Sequence, residues 1–285
     1  MNVEQYYRPD SVEEALRLLA ETEDARLLAG GTDLINEIRG GISQPKALID
    51  ISGIEELSCI YQSEGFLHIG AMVTFSSLQT DKLIAKYCPS LAEAAGLMGA
   101  VQIRNRATLG GNVANAAPAA DAIPPLLSFD AQAVIACVSS TRDLPVNEVV
   151  AGINKTSLGS GEMIVGFTLP VSKYNRTAFE KIGRRKALAI SRINLAIAAR
   201  MDKSRVERIA VAVGAVGITA YRVDEVENYI AGMDLSADVI SSAARLMDEV
   251  VAKNLEGRAT APYKRKIAST VLKRGLERIR EDIPE

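Results

Sequence analysis

The sequence predicts an α+β fold in which two mixed α/β subdomains precede a domain with its own sheet and helices. Helical and strand-like segments alternate through the first part of the chain. Three consecutive strand-like segments, and then helical periodicity, occupy the last part. The 285 residues also exceed the usual size of one small domain. We therefore expect three units, which span residues 1–55, 56–172 and 173–285.

The first unit is expected to be of the βαβ type. Ser11 stands at an N-cap position and Glu14 lies three residues later, which is the spacing of a capping box before a helix. A strand-like segment then enters the first glycine pair, in the sequence Ala29-Gly30-Gly31-Thr32-Asp33-Leu34. A short helix over 32–38 and a strand over 46–51 follow. The glycine pair would thus precede a helix N-terminus, where free N–H groups favour an anion.

The second unit is expected to begin with a β-hairpin and to contain the second glycine pair. The segments CIYQ and FLHIGAMV, separated by a Ser-Glu-Gly turn, predict the hairpin, and helical periodicity follows over 75–98. The second pair lies in Thr108-Leu109-Gly110-Gly111-Asn112-Val113. Small residues and prolines over 112–130 predict a loop and a short helix. The segments AQAVIACVSS and EMIVGFTLP predict two further strands.

The third unit is expected to combine a three-stranded antiparallel sheet with a small helical bundle. Its strands are TAFEKIGRR, INLAIAARM and VERIAVAVGAVG, and apolar residues recur every three or four positions from residue 222 onward. The basic run at 264–266 is most simply a solvated helix face, or a contact with a partner subunit.

Composition and charge argue against several functional classes. The formal net charge of −2 gives no signature of binding to nucleic acid or to an anionic membrane. Cys59, Cys88 and Cys137 lie far apart and there is one histidine, His68, so we expect no metal or iron–sulfur cluster on this chain. The polar start MNVEQYYRPDS is not a signal peptide, and no apolar run is long enough to span a membrane. A cytoplasmic location is the default expectation.

The two glycine pairs carry the strongest functional signal. Taken alone, either pair is better explained by a tight turn. Together, and flanked by threonine or asparagine, they favour two loops whose free backbone N–H groups hold a phosphate-rich ligand from two sides. The sequence has no G-x-G-x-x-G before a helix, no G-x-x-x-x-G-K-[ST] and no G-x-S-x-G. A Rossmann site, a P-loop and a nucleophile elbow are therefore not expected.

Three other residues, Asp121, Lys181 and His68, stand out on pattern alone. Asp121 suits a hydrogen bond to a ribose, and equally a helix cap before Ile123. Lys181 could face an anionic cofactor, although strand alternation favours a solvated side chain. His68 is expected to face solvent or an interface, with no catalytic role. Because no paired carboxylates or nucleophile stand near the glycine pairs, we predict no catalytic residue.

The two glycine motifs, together with segments elsewhere in the chain, resemble those of a known family. AGGTDL at 29–34 and TLGGNVANAAPAAD at 108–121 are similar to the FAD-binding, medium subunits of the molybdenum hydroxylases, such as those of bacterial xanthine dehydrogenase and carbon monoxide dehydrogenase. The similarity covers nearly the whole chain. It includes YYRPDSVEEALRLLA, IRNRATLGGN, FEKIGRR and YKRKIASTVLKRGL.

The resemblance implies a FAD-binding domain of the vanillyl-alcohol-oxidase (PCMH) type and a smaller C-terminal domain. It places Asp121 near the adenosine, the Ile164 backbone against the flavin and Lys181 near the flavin. The aromatic residue that some relatives stack on the flavin corresponds to Met98. The residues implied for the two glycine motifs that hold the pyrophosphate are Leu27, Leu28, Ala29, Gly30, Gly31, Thr32, Asp33, Leu34, Thr108, Leu109, Gly110, Gly111 and Asn112.

The same resemblance implies an electron-transfer subunit with FAD as its only cofactor. The molybdenum cofactor and the 2Fe-2S clusters would be on a large molybdopterin subunit and a small iron–sulfur subunit, in a dimer of heterotrimers. Electrons would pass from the clusters through FAD to NAD⁺ or another acceptor. Two alternatives are a stand-alone flavin-dependent oxidoreductase of the same fold and, less favoured, a scaffold that has lost its cofactor.

Overall fold

The N-terminal unit is built on a parallel three-stranded sheet. The computed structural model describes residues 3–171, 173–185 and 188–281. Ser11 caps the first helix by accepting the Glu14 N–H at 3.2 Å. Glu14 in turn accepts the N–H of Asp10 at 3.2 Å. The sheet has the order β1-β3-β2, with both pairs parallel, as expected for a βαβ-type unit. Its elements are β1 (Gln5–Tyr7), α1 (Val12–Glu21), β2 (Ala25–Leu28), α2 (Leu34–Arg39) and β3 (Ala47–Asp50).

The second unit is built on a five-stranded antiparallel sheet. After a 3₁₀ helix over Glu55–Ser58, it contains β4 (Ile60–Ser63), β5 (Phe66–Gly70), α3 (Phe75–Thr80), α4 (Lys82–Tyr87), α5 (Pro89–Leu97), α6 (Val101–Arg104), α7 (Leu109–Asn115), α8 (Ile123–Ser128), β6 (Gln132–Cys137), β7 (Ser140–Pro145), α9 (Val146–Val149), β8 (Val150–Gly152), β9 (Lys155–Thr156) and β10 (Met163–Pro170). The order of the large sheet is β4-β5-β10-β6-β7, and β8 and β9 form a separate ribbon.

The C-terminal part of the chain has its own sheet, followed by helices. The strands are antiparallel in the order β11-β12-β13-β14. The elements are β11 (Arg176–Gly183), β12 (Ser191–Asp202), β13 (Arg205–Gly214), β14 (Tyr221–Arg222), α10 (Asp224–Ile230), α11 (Ala237–Asn254) and α12 (Ala261–Glu281).

Strands β12 and β13 are buried on both faces. On one face, large residues such as Leu195, Ile197 and Val211 pack with the C-terminal helices. On the other face, small residues such as Ala198 and Ala212 belong to the core of the second unit. The small side chains let helix α8 lie close against the sheet, so two hydrophobic cores share these strands.

The structure corrects several predicted elements. The helical stretch expected over 75–98 is three helices, because Asp81 caps α4 and Pro89 begins α5. The C-terminal sheet has a fourth, two-residue strand, β14. The exposed strands β1 and β7 were not predicted. The second glycine pair lies in the first turn of helix α7 and not in a loop. Of the described helices, none is long and apolar enough to cross a membrane.

Candidate functional site

The two glycine motifs meet at one groove between the first and second units. The groove has a volume of about 420 Å³. It lies where the loop after β2 approaches the start of helix α7. Its lining consists of Arg26, Leu27, Ala29, Gly30, Gly31, Thr32, Asp33, Leu34, Glu37, Ile42, Ser43, Met98, Ala107, Thr108, Gly111, Asn112, Ala114, Asn115 and Asn154.

The first motif supplies free backbone donors. Gly31 has a φ of 72°, a left-handed conformation that glycine adopts without strain. Within the described part of the chain, the N–H groups of Gly30, Gly31, Thr32 and Asp33 have no hydrogen-bond acceptor. Successive N–H groups in such a turn form a concave site for an anion. The loop after β2 therefore has the donors that a phosphate requires.

The two motifs touch through their backbones. A Cβ atom on Gly30 would lie 2.0 Å from the carbonyl oxygen of Arg106 and 3.0 Å from Cα of Ala107. Real side-chain atoms do not approach backbone so closely. The absence of a side chain at Gly30 therefore lets the first loop rest directly on the segment that enters helix α7.

The second motif lets a ligand approach its backbone closely, but it has few backbone N–H groups free to bind that ligand. Thr108 is the N-cap of α7, and its hydroxyl accepts the Gly111 N–H at 3.1 Å. The N–H of Leu109 is bonded to the carbonyl of Val73, and that of Gly110 to the carbonyl of Ala71. This finding corrects the expectation of a glycine loop with unpaired amides. Gly111 faces the groove without a side chain, so a ligand can reach the helix backbone there.

The structure separates the predicted site residues into two groups. The predicted residues that line the groove are Leu27, Ala29, Gly30, Gly31, Thr32, Asp33, Leu34, Thr108, Gly111 and Asn112. Those outside its lining are Leu28, Leu109, Gly110, Asp121, Ile164 and Lys181. Gly110 packs directly against Ala71, since a Cβ at Gly110 would lie only 2.7 Å from Cβ of Ala71. The absence of a side chain at Gly110 therefore lets the start of α7 pack closely on that segment. Ile164 is buried in β10 beside a bulge.

Asp121 and Lys181 form a buried ion pair behind the groove. The Lys181 Nζ to Asp121 Oδ2 distance is 2.6 Å, and the two side chains are 8% and 7% exposed. The other carboxylate oxygen of Asp121 accepts hydrogen bonds from Ser191 at 2.6 Å and Asn194 at 2.9 Å. The structure thus overturns both simpler interpretations. Lys181 is not solvated, and Ala122, not Asp121, is the N-cap of α8.

Two connections join this ion pair to the groove. Lys181 donates a second hydrogen bond, of 3.0 Å, to the carbonyl of Leu97, next to the groove residue Met98. The N–H of Ala122 donates to Oδ1 of the groove residue Asn112 at 3.3 Å. The pair is therefore placed to hold two segments of the groove wall in position. The closeness of Asp121 to an adenosine and of Lys181 to a flavin stays a prediction.

The groove also contains residues that the sequence analysis did not identify. Glu37 lies one helical turn after Asp33 on α2, and helical spacing could have found it. Ser43 lies in the segment between α2 and β3, and Asn154 lies in the turn between β8 and β9, so no local pattern connects them with the glycine motifs. The described residues contain no group of three or more His, Cys, Asp or Glu side chains that could hold a metal ion.

Two family descriptions match almost the entire chain. Residues 1–172 match the family described as "FAD binding domain in molybdopterin dehydrogenase". Residues 177–279 match the "CO dehydrogenase flavoprotein C-terminal domain". The first match contains both glycine motifs and the groove, and the second contains Lys181.

Individual relatives and a solved structure agree with these matches. The chain is 30% identical over 272 residues to the xanthine dehydrogenase FAD-binding subunit of Escherichia coli O157:H7, covering 94% of this chain and 93% of that protein. It is 32% identical over 273 residues to the 6-hydroxypseudooxynicotine dehydrogenase complex subunit alpha of Paenarthrobacter nicotinovorans, covering 95% and 92%. A chain of the carbon monoxide dehydrogenase of Hydrogenophaga pseudoflava, in a form that lacks the Mo-pyranopterin moiety, superposes with a TM-score of 0.91. That chain is 29% identical, and the superposition covers 98% of both chains.

Proposed function

Because the chain belongs to the family of FAD-binding subunits of the molybdopterin dehydrogenases, an oxidoreductase family, we propose that it is the flavin-carrying electron-transfer subunit of such a complex. The observation that carries the proposal is the groove in which both glycine motifs meet. The loop after β2 offers four N–H groups that have no acceptor among the described residues, and the start of α7 offers the bare backbone at Gly111.

The groove fits the pyrophosphate of FAD. Two linked phosphates carry negative charge and several acceptor oxygens, and adjacent N–H groups are suitable donors for them. A groove of about 420 Å³ lies within the ordinary size range of ligand sites. The Cβ positions of Gly30 and Gly111 are 2.0 Å from the Arg106 carbonyl oxygen and 2.8 Å from Oγ1 of Thr108. Side chains at these positions would collide with the residues that form the groove, which supports the proposed role of the glycines.

In this proposal the residues of this chain bind and orient the cofactor. When bound, FAD supplies the redox chemistry, exchanging electrons and hydride with donors and acceptors. We assign pyrophosphate binding to the N–H groups from Gly30 to Asp33. Thr108 keeps the start of α7 in place through its cap. Asp121 and Lys181 fix the wall segments at Asn112 and Met98 from behind.

The proposal includes partner subunits on which the remaining cofactors are carried. Relatives are named as subunits of dehydrogenase complexes, such as the 6-hydroxypseudooxynicotine dehydrogenase complex. By analogy we infer a small iron–sulfur subunit with 2Fe-2S clusters and a large subunit with the molybdenum cofactor, in a cytoplasmic dimer of heterotrimers. Electrons would reach FAD from the clusters and leave to NAD⁺ or another acceptor. We also infer that the FAD-binding part comprises the units 1–55 and 56–172 and that 173–285 is a separate domain.

The direct test is the flavin content of the purified full chain. We expect the wild-type protein to be yellow, with the absorption bands of oxidised flavin and close to one FAD per chain. Gly111→Leu should remove the bound flavin because the side chain would fill the groove wall. Gly152→Ala is the matched control, since a Cβ there meets only Lys155 side-chain atoms at 3.8 Å or more. A Gly111→Leu protein that is folded and retains stoichiometric FAD would refute the assignment of the groove.

A further inference from the structure

Two cations hold three consecutive carbonyl groups beside the groove. Lys181 Nζ donates to the carbonyl of Leu97 at 3.0 Å. Nη1 of Arg104 donates to the next two carbonyls, that of Met98 at 3.1 Å and that of Gly99 at 3.0 Å. Met98 lines the groove, whereas Arg104 does not. The turn that follows helix α5 is therefore held in place from behind the groove wall by side chains.

The same hydrogen bonds orient two backbone N–H groups. The described chain has no cis peptide bond, and in a trans peptide the N–H points opposite to the C=O. The N–H groups that follow the two carbonyls held by Arg104 belong to Gly99 and Ala100, and they therefore point away from Arg104. Neither has a hydrogen-bond acceptor in the described part of the chain. Gly99 has a left-handed φ of 48°, and successive N–H groups in such a turn form a concave site for an electronegative atom.

Arg104 carries a positive charge that no described carboxylate neutralises. The ion pairs of the described residues do not include Arg104, whereas Lys181 is paired with Asp121 at 2.6 Å. Nε of Arg104 is buried and has no acceptor among the described residues. A buried donor without an acceptor destabilises the folded chain. Stability alone does not account for this arginine, which argues for a role toward the groove.

The turn at Met98 and Gly99 suits the flavin ring of FAD better than the adenine. The flavin ring has carbonyl oxygens that accept hydrogen bonds, and the unpaired N–H groups of the turn are donors. The Met98 thioether also contacts aromatic rings favourably. Adenine has no carbonyl oxygen and carries an amino donor, for which the carboxylate of the groove residue Glu37 is the better partner.

We propose that Arg104 is a positioning residue for the flavin ring, which it serves by fixing the turn at Met98 and Gly99 and by placing a positive charge behind that turn. On reduction the ring takes up two electrons and one proton, and so it becomes negatively charged. A nearby cation stabilises this reduced form relative to the oxidised ring, which raises the reduction potential. The inference rests on the proposed function, in which the groove binds FAD.

The midpoint potential and the flavin content of the full, flavin-loaded chain test the inference. In the titration, dithionite supplies the two electrons and is oxidised to sulfite, and the solvent supplies the proton. We expect Arg104→Met to bind reduced flavin, relative to oxidised flavin, at least about tenfold more weakly than wild type, which lowers the midpoint potential of a two-electron couple by at least ~30 mV. Arg104→Lys keeps the charge and the N–H donors, and it should retain the wild-type potential.

Asn175→Ala is the matched control, since it also removes two hydrogen bonds between a side chain and the backbone. Asn175 bonds both the carbonyl and the N–H of Met201 at 2.9 Å, and it does not line the groove. This variant should unfold at lower urea concentration than wild type but keep the wild-type potential. If Arg104→Met does not fold or loses its flavin, the potential is measured in Arg104→Gln, which removes the charge and keeps an N–H donor. Loss of flavin from both of these variants, with retention in Arg104→Lys and Asn175→Ala, would support the positioning role equally.

Two results would overturn the inference. The first is a wild-type potential in a folded, flavin-loaded Arg104→Met or Arg104→Gln. The second is an equal fall of the potential in Arg104→Lys or in Asn175→Ala, which would assign the change to the fold and not to the charge. A wild-type chain that carries no flavin would refute the proposed function itself, whereas a flavin-loaded chain whose potential does not depend on Arg104 would refute this inference alone.

Discussion

Lys181 and Asp121 are separated by 60 positions in sequence, yet their charged groups meet at 2.6 Å in the interior. Lys181 lies on β11 of the C-terminal sheet, and Asp121 lies between α7 and α8 of the second unit. The contact joins the parts of the chain that match the two family descriptions. It therefore couples the packing of the C-terminal sheet to the wall of the groove.

Removing one partner of this pair should destabilise the protein strongly. Lys181→Met leaves the Asp121 carboxylate buried without a counter-charge, and the expected cost is about 3–5 kcal/mol in the free energy of unfolding. Adding Asp121→Asn should recover part of this loss because no uncompensated charge remains. Urea unfolding of the two variants and wild type measures the difference. A double variant less stable than Lys181→Met would contradict this account.

The sequence could predict the groove only in part. The glycine motifs were recognisable because their composition is unusual over a few residues, and the structure brings both to one groove. The solvated Lys181 that strand alternation favours is wrong, because alternation says which residues share a face and does not say what covers that face. Here helix α5 packs on β11, and its last residue, Leu97, accepts a hydrogen bond from Lys181.

The fold was predicted more completely than the site, for a related reason. The regular strands β12 and β13 carry a strong pattern, with large residues alternating with alanine. The three-residue strand β1 and the two-residue strand β14 are too short to show any period. The groove residue Asn154 could not be connected with the glycine motifs, since long-range proximity depends on the tertiary structure.

Arg222 should make a second, separable contribution to stability. It forms ion pairs of 2.5 Å with Glu227 and 2.6 Å with Asp130, and it donates to the carbonyl of Leu127. The side chain is 24% exposed, so Arg222→Ala should cost about 2–3 kcal/mol in the free energy of unfolding.

Arg222→Lys provides the informative comparison, because it keeps the charge but loses the planar fork that bonds both Glu227 oxygens. We expect most of the loss to remain in this variant when urea midpoints are compared. Arg265→Ala, which breaks a more exposed pair with Asp248, should cost less. If Arg222→Lys were as stable as wild type, charge alone would be sufficient at this position.

The cysteines should differ in reactivity. Hydrogen bonds from Ser139 and Ser140 lower the pKa of the Cys137 thiol to about 7, whereas burial raises the pKa of Cys88 to about 12. Because the thiolate is the nucleophile, alkylation of Cys137 by iodoacetamide should rise through pH 7 and should precede alkylation of Cys88. Peptide mass spectrometry measures both rates. Ser139→Ala/Ser140→Ala should shift the Cys137 profile to higher pH, and an unshifted profile would exclude the serine hydroxyls as the cause, since the backbone N–H groups of both residues remain.

The ion pair between Glu162 and Arg142 should make the free energy of unfolding depend on pH in the acid range. Hydrogen bonds from Arg142 and from the N–H of Gly159 lower the pKa of Glu162 from 4.5 to about 2. A lowered folded-state pKa gives stability that is complete above about pH 4.5 and is lost as the pH falls toward 2. Glu162→Gln should therefore unfold at lower urea concentration than wild type at pH 7, and the two should converge near pH 2. A difference that is independent of pH would argue against the titration of Glu162 as its source.

The contact between the two glycine motifs gives the sharpest test of the groove. In Gly30→Ala a Cβ would lie 2.0 Å from the carbonyl oxygen of Arg106, which is backbone and cannot rotate away. The first loop must then withdraw from the start of α7 and widen the groove, and such overpacking costs about 1–3 kcal/mol. We expect lower flavin content and a lower unfolding midpoint.

Gly53→Ala is the control, since its Cβ would meet Arg8 side-chain atoms at an ordinary 3.5 Å. Both proteins retain the free N–H groups of the loop, so flavin loss in Gly30→Ala alone would show that the spacing of the two walls, and not only the donors, determines binding. If Gly30→Ala retained wild-type flavin content and stability, the contact between the motifs would have no role in either.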